Sequence, residues 1–136
     1  MTVPREVKIA IILSWLVLAI DSYDSFHKIF THPKASADFQ YKLIWIGVAL
    51  ASIAITALFI FQAWRRRNWG RIALLIWTIG SWGLWIVWSP RIEDYAWWKW
   101  LVAASLVAME LAALVLLFRG NGAKWYSLPS GATDAL

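Results

Sequence analysis

The stretch Leu43–Trp64, LIWIGVALASIAITALFIFQAW, decides the fold. It runs 22 residues without a charged side chain. An α-helix rises about 1.5 Å per residue, so about 20 apolar residues cross a hydrocarbon layer of about 30 Å. Working outward, Ile72–Pro90 is 19 residues without a charge, and Trp100–Phe118 is 19 with one, Glu110. Ile9–Ile20 is 12 before Asp21, and reaches spanning length if the helix continues to Phe26. Helices are therefore expected over roughly 6–26, 41–64, 69–89 and 97–119.

A soluble helix keeps a polar face. Ile72–Trp88 has none, since its polar side chains are Thr78 and Ser81 apart from the indoles. Three or four such helices in 136 residues leave nothing to cover them. The chain is 61% hydrophobic and 15% charged, against roughly 25% charged in ordinary soluble domains. The expected fold is an all-α integral membrane four-helix bundle, a single domain over 1–119. The glycines and proline after Arg119 lead to the expectation of a loose tail over 120–136. Arg5 and Lys8 before a short apolar run are reminiscent of a signal peptide, but Leu18-Ala19-Ile20-Asp21-Ser22-Tyr23 is a poor cleavage site, so an uncleaved first helix is expected.

Lysine and arginine orient the bundle. Eight of them, Arg5, Lys8, Arg65, Arg66, Arg67, Arg71, Arg119 and Lys124, fall at one end, and five at the other. The first end carries two acidic residues, Glu6 and Asp134; the other carries five. Both termini are expected to be cytoplasmic. The basic excess then meets anionic lipid headgroups rather than nucleic acid. Zero cysteines exclude disulfides, cysteine nucleophiles and thiolate metal sites.

Residues 65–71 form a basic turn. Asn68 suits the N-cap of the third helix, and Trp69 suits the membrane interface. Arg65, Arg66, Arg67 and Arg71 suit phosphate contacts, which makes the turn a lipid-headgroup anchor. Arg67-Asn68-Trp69-Gly70-Arg71, followed at once by an apolar helix, resembles a turn in many small, uncharacterised four-helix bacterial inner-membrane proteins. Alanine is commoner there where Gly70 stands. The resemblance implies a bacterial inner membrane and a turn joining helices two and three, and no substrate.

Most of the twelve tryptophans fall near the two interfaces and read as aromatic belts. Trp15, Trp77, Trp82 and Trp85 lie roughly 9–21 Å from the nearest charge at the expected cytoplasmic end, too deep for a belt. Trp77, Trp82 and Trp85 are candidates for an aromatic pocket. Trp82, Trp85 and Trp88, recurring every three residues with Glu93 and Asp94 just beyond, have the residue types of a cation cage. Glu110 lies nine residues before Arg119, roughly 14 Å in and near the midplane. Ionisable groups at that depth usually face the bundle interior. Thr56 and Ser81 share its depth, so a polar layer of Glu110, Thr56 and Ser81 is expected, joined by an indole N–H from Trp77 or Trp82. Asp21 is a second intramembrane carboxylate, level with Ser52, Ser105 and Trp85. Asp21, Asp24 and His27 recur every three residues, but two histidines in the chain give a metal site weak support.

Ala104, Ala108 and Ala112 form a small-residue stripe turned about 160° from Glu110. Either the fourth helix is central, or one of the two faces meets a second copy or another membrane protein. The chain has no phosphate loop, no zinc-protease histidine pair, no axial haem ligands inside a span and no base beside its intramembrane serines. No enzymatic activity, metal or cofactor is expected. The sequence favours a non-enzymatic interaction, accessory or protective membrane component. The alternative is a small oligomeric transporter or channel that uses Glu110 and Asp21 as proton- or cation-coupled carboxylates.

Overall fold

The computed structural model describes residues 2–33, 38–88 and 96–127. Five helices run in chain order: α1 Arg5–Thr31, α2 Phe39–Trp64, α3 Asn68–Trp88, α4 Trp97–Phe118 and α5 Gly120–Ser127. There is no strand among the described residues. The first four are long and apolar enough to cross a membrane.

Helix α1 starts after Pro4, whose fixed φ of −56° suits a helix entry. It runs five residues beyond the expected Phe26. An Asp24–Lys28 ion pair one turn apart and a hydrogen bond from Thr31 Oγ1 to His27 O (2.7 Å) support that extension. Asp38 caps α2, its carboxylate accepting from the backbone N–H of Gln40 (2.9 Å) and Tyr41 (3.3 Å).

The turn into α3 is closed by two crossed backbone bonds. Arg66 N–H donates to Ala63 O (3.1 Å) and Arg67 N–H to Gln62 O (3.0 Å). This arrangement needs a left-handed residue, and Arg66 supplies it at φ 60° where glycine is usual. The cost is roughly 1–2 kcal/mol. Gly70 allows α3 to lie against α2 immediately after the turn. A Cβ there would sit 2.7 Å from the Ala63 nitrogen and from the Gln62 carbonyl carbon.

Helix α1 packs along both α2 and α4, and α3 packs along α2; α3 meets α4 over only a short stretch. The hydrophobic core is one cluster at the end carrying the arginine turn. It joins Val7, Ala10 and Ile11 of α1, Ile60 and Ala63 of α2, Leu74 of α3 and Ala113 and Leu117 of α4 to Trp125 and Tyr126 of α5. In the opposite half the large apolar side chains face outward, among them Leu84, Ile86, Val87 and Leu101.

Helix α5 replaces the expected loose tail over Gly120–Ser127; the rest of that tail, 128–136, lies outside the described residues. Gly120, at φ 57°, turns the chain back, and Gly120–Ser127 folds against the core. Eight residues are too few for a stable isolated helix. The burial of two large aromatic rings, worth roughly 2–3 kcal/mol each, holds it. Those rings, Trp125 and Tyr126, are core residues and not members of an interfacial belt. Trp64 and Trp69 at this end, and Trp97, Trp98 and Trp100 at the other, are exposed.

Candidate functional site

Above the packed core the four long helices enclose a cavity of about 140 Å³. Its floor is the core itself: Val17, Ile60, Leu74 and Leu114. From there it extends toward the opposite end, as far as Ser25 on α1 and Ala49 on α2, about 16 Å by helical rise.

All four expected polar residues line this cavity: Glu110, Asp21, Thr56 and Ser81. Each arrives on a helical stripe. On α1 the lining runs Ser14, Asp21, Ser22 and Ser25; on α2 it is Ser52 and Thr56; on α3, Trp77, Thr78 and Ser81. Steps of three, four and seven residues keep a stripe on one helix face.

Glu110 is half-buried, and its Oε2 accepts a hydrogen bond from Trp82 Nε1. Of the two indoles expected at this depth, Trp82 is the donor. That bond spans the seam where α3 and α4 approach least. One turn further on, Trp85 meets Trp100 of α4 edge to face at 6.2 Å.

The hydroxyls have a common geometry. Ser14 donates to Ala10 O (2.9 Å), Ser22 to Leu18 O (2.5 Å), Thr56 to Ser52 O (2.9 Å) and Ser81 to Thr78 O (2.8 Å). Each hydroxyl hydrogen is thus spent on its own helix backbone, as intrahelical serine and threonine commonly arrange. What these side chains have left is oxygen lone pairs. With two carboxylates beside them, the cavity wall is rich in acceptors and poor in donors. Such a wall suits a cation, or a small molecule bearing several N–H or O–H donors, and repels an anion.

Ser14, Ser22, Ser25 and Thr78 are site residues that sequence reasoning missed. Their signal is present in the spacing of hydroxyls along α1 and α3, but the depth argument follows the carboxylates. Ser105 shares the depth of Asp21 and stays outside; it is exposed and bonds Leu101 O at 2.7 Å.

The three deep tryptophans of α3 do not converge on one pocket. Trp77 lines the cavity and meets Phe59 of α2 edge to face at 6.1 Å, while Trp82 and Trp85 reach toward α4. Helical rotation explains the split, since five residues separate Trp77 from Trp82 and turn them about 140° apart. Glu93 and Asp94, the acidic part of the expected cation cage, lie outside the described residues. Asp24 pairs with Lys28, and the His27 ring lies 6.0 Å from Tyr23. Among the described residues no group of three His, Cys, Asp or Glu side chains is placed to hold a metal.

The arginine turn divides its labour. Arg65 and Arg67 are exposed or half-exposed at the surface. Arg66 and Arg71 reach the protein's own backbone, Arg66 Nε donating to Trp125 O (2.7 Å) and Arg71 Nη1 to Leu117 O (3.1 Å). These bonds satisfy carbonyls near the ends of α5 and α4 that have no intrahelical partner. The Arg71 guanidinium also lies 4.8 Å from the Phe118 ring and 4.6 Å from the Tyr126 ring. Asn68 is the first residue of α3, and its Oδ1 accepts from Arg71 Nε (2.6 Å) rather than capping a backbone N–H. It positions the arginine. Tyr126 O–H donates to Ala63 O (2.7 Å), and burial pushes its phenol up to about 12 against the opposing pull of Arg71. The cavity is thereby sealed at this end by the core and by α5 behind it.

No family model, no curated protein and no solved structure matches the chain.

Proposed function

We propose that the chain is a multi-pass membrane protein whose working part is the acceptor-lined cavity, which takes up protons or small monovalent cations. The observation that carries this reading is the convergence of Glu110 and Asp21 on one cavity in which the hydroxyl hydrogens of Ser14, Ser22, Thr56 and Ser81 are already spent on backbone carbonyls. Holding Glu110 half-buried among apolar helices costs free energy unless something compensates, and a bound cation or proton does so. The reading is non-enzymatic. It makes Glu110 the principal binding group, Asp21 its partner across the cavity, and Trp82 the residue that orients Glu110.

The excess of basic residues at the arginine end supports cytoplasmic termini. The Arg67–Arg71 turn supports a bacterial inner membrane. In that orientation the cavity faces the outer side and is closed toward the cytoplasm. Arg65, Arg67 and Trp69 anchor the turn among headgroups, while Arg66, Arg71 and Asn68 serve α4 and α5. A role as an accessory subunit is the second reading. It is favoured by Ala104, Ala108 and Ala112, which are exposed on the face of α4 away from the cavity and offer close helix–helix approach to a partner or a second copy.

Flux in proteoliposomes tests the proposal. Wild type is expected to dissipate a proton or alkali-cation gradient faster than protein-free vesicles. Glu110→Gln, which keeps an acceptor for Trp82, is expected to slow this at least about tenfold, the loss of a single charge contact worth about 1.4 kcal/mol. Flux from wild type equal to that of empty vesicles, with helical content intact, overturns the reading and leaves the accessory role.

A further inference from the structure

A second concavity lies on the outside of the bundle, between α1 and α2 at the arginine end. Lys8, Ile11, Ile12, Trp15, Phe61 and Trp64 line an open groove of about 430 Å³. It shares no residue with the polar cavity. Ile12, Trp15, Phe61 and Trp64 are exposed in it, so no part of the described chain covers them.

The groove is amphiphilic along its length. From Lys8 to Trp15 is seven residues, about 10 Å of helical rise, against about 15 Å for half of a bilayer core. Its walls are apolar and its positive charge is gathered at one end. Lys8 lines the groove, the Arg65 guanidinium lies 5.7 Å from the Phe61 ring, and Arg5 stands one turn before Lys8 on the same helix face. The neighbouring acid on α1, Glu6, is turned toward α5, its Oε1 accepting from Asn121 Nδ2 (2.9 Å). Neither Lys8 nor Arg65 pairs with a carboxylate among the described residues.

We propose that this groove is a binding site for one anionic phospholipid, with an acyl chain between Trp15, Phe61 and Trp64 and the phosphate met by Lys8 and Arg65. Long basic side chains reach the headgroup level from a stem lying on apolar surface. A second copy of this chain is the poorer occupant, because the sequence places only two acids, Glu6 and Asp134, at this end to meet its eight basic residues. The proposal stands apart from the cation cavity and needs only that the helices lie in a membrane.

Native mass spectrometry of the full chain, delipidated in mild non-ionic detergent, tests it. Phosphatidylglycerol and phosphatidylcholine with identical acyl chains are the probes. One phosphatidylglycerol per chain is expected to be retained, preferred over phosphatidylcholine roughly tenfold. Lys8→Gln combined with Arg65→Gln abolishes the preference, whereas Lys124→Gln, which removes a charge from the same end, preserves it. Ile12→Trp, which fills the groove and leaves the charges intact, displaces both lipids and keeps the site testable if the double variant fails to fold. Equal retention of the two lipids by wild type, an unchanged preference in the double variant, equal loss in Lys124→Gln, or a lipid-free dimer overturns the proposal.

Discussion

The half of the bundle that carries the arginine turn and the half that carries the other helix ends are made of similarly apolar helices, but only one of them packs. Every buried apolar side chain described lies at the arginine end or next to it: residues 7–17 of α1, 60–63 of α2, Leu74, 113–117 of α4 and the α5 aromatics. In the other half Leu84, Ile86 and Val87 of α3 are 65–77% exposed. Hydrophobicity cannot account for the difference, since lipid tails are as apolar as leucine. What differs is the set of polar and steric devices at one end. There Gly70 admits close approach, Arg66 and Arg71 satisfy carbonyls, and Tyr126 binds the α2 backbone. In the other half the facing stripes carry serine, threonine and two carboxylates, which hold the helices around a space instead of against each other.

Large-to-small variants give the widest expected contrast. Ile60→Ala, at a fully buried position, should cost about 2–4 kcal/mol in detergent unfolding. Leu84→Ala, in the open half, should change stability by less than about 0.5 kcal/mol. Equal losses would erase the distinction between the halves. Gly70→Ala sharpens it next, with an expected cost of about 1–3 kcal/mol from overpacking against Ala63 and Gln62. A neutral result would mean that the close approach of α2 and α3 is not needed here.

A third contrast is a pH dependence confined to the packed end. The Tyr126 phenol is raised in the folded protein to about 12, above its ordinary value near 10. The fold therefore holds this proton more tightly than the unfolded chain does. The resulting stability is complete below pH about 10 and is lost as pH rises toward about 12. Trp125 fluorescence, in a variant whose other tryptophans are phenylalanine, should report release of α5 in that window, and Tyr126→Phe should abolish the dependence. A transition of equal size in Tyr126→Phe would assign it to another group.

The four long apolar helices were legible because charge-free runs of about 20 residues have the length and composition of membrane-crossing helices. The polar layer was legible for a related reason. Rise per residue converts sequence position into depth, and that placed Glu110, Thr56 and Ser81 at one level. Depth leaves rotation open, however. It did not distinguish Ser52, which lines the cavity, from Ser105, which faces outward at the same height. Nor did it separate Trp77 from Trp82 as the partner of Glu110.

From the sequence alone follow the number of long helices, their approximate limits, the charge asymmetry of the two ends and the depth of each polar group, since all of these depend on local composition and a constant helical rise. The tertiary structure decided which face of each helix turns inward, which arginines bond the protein's own backbone and which stay exposed, and that α5 folds at all. Those outcomes depend on which helices are neighbours. Carbonyls left unsatisfied at the ends of α4 and α5 find Arg71 and Arg66 only after the chain has brought together residues more than 40 positions apart.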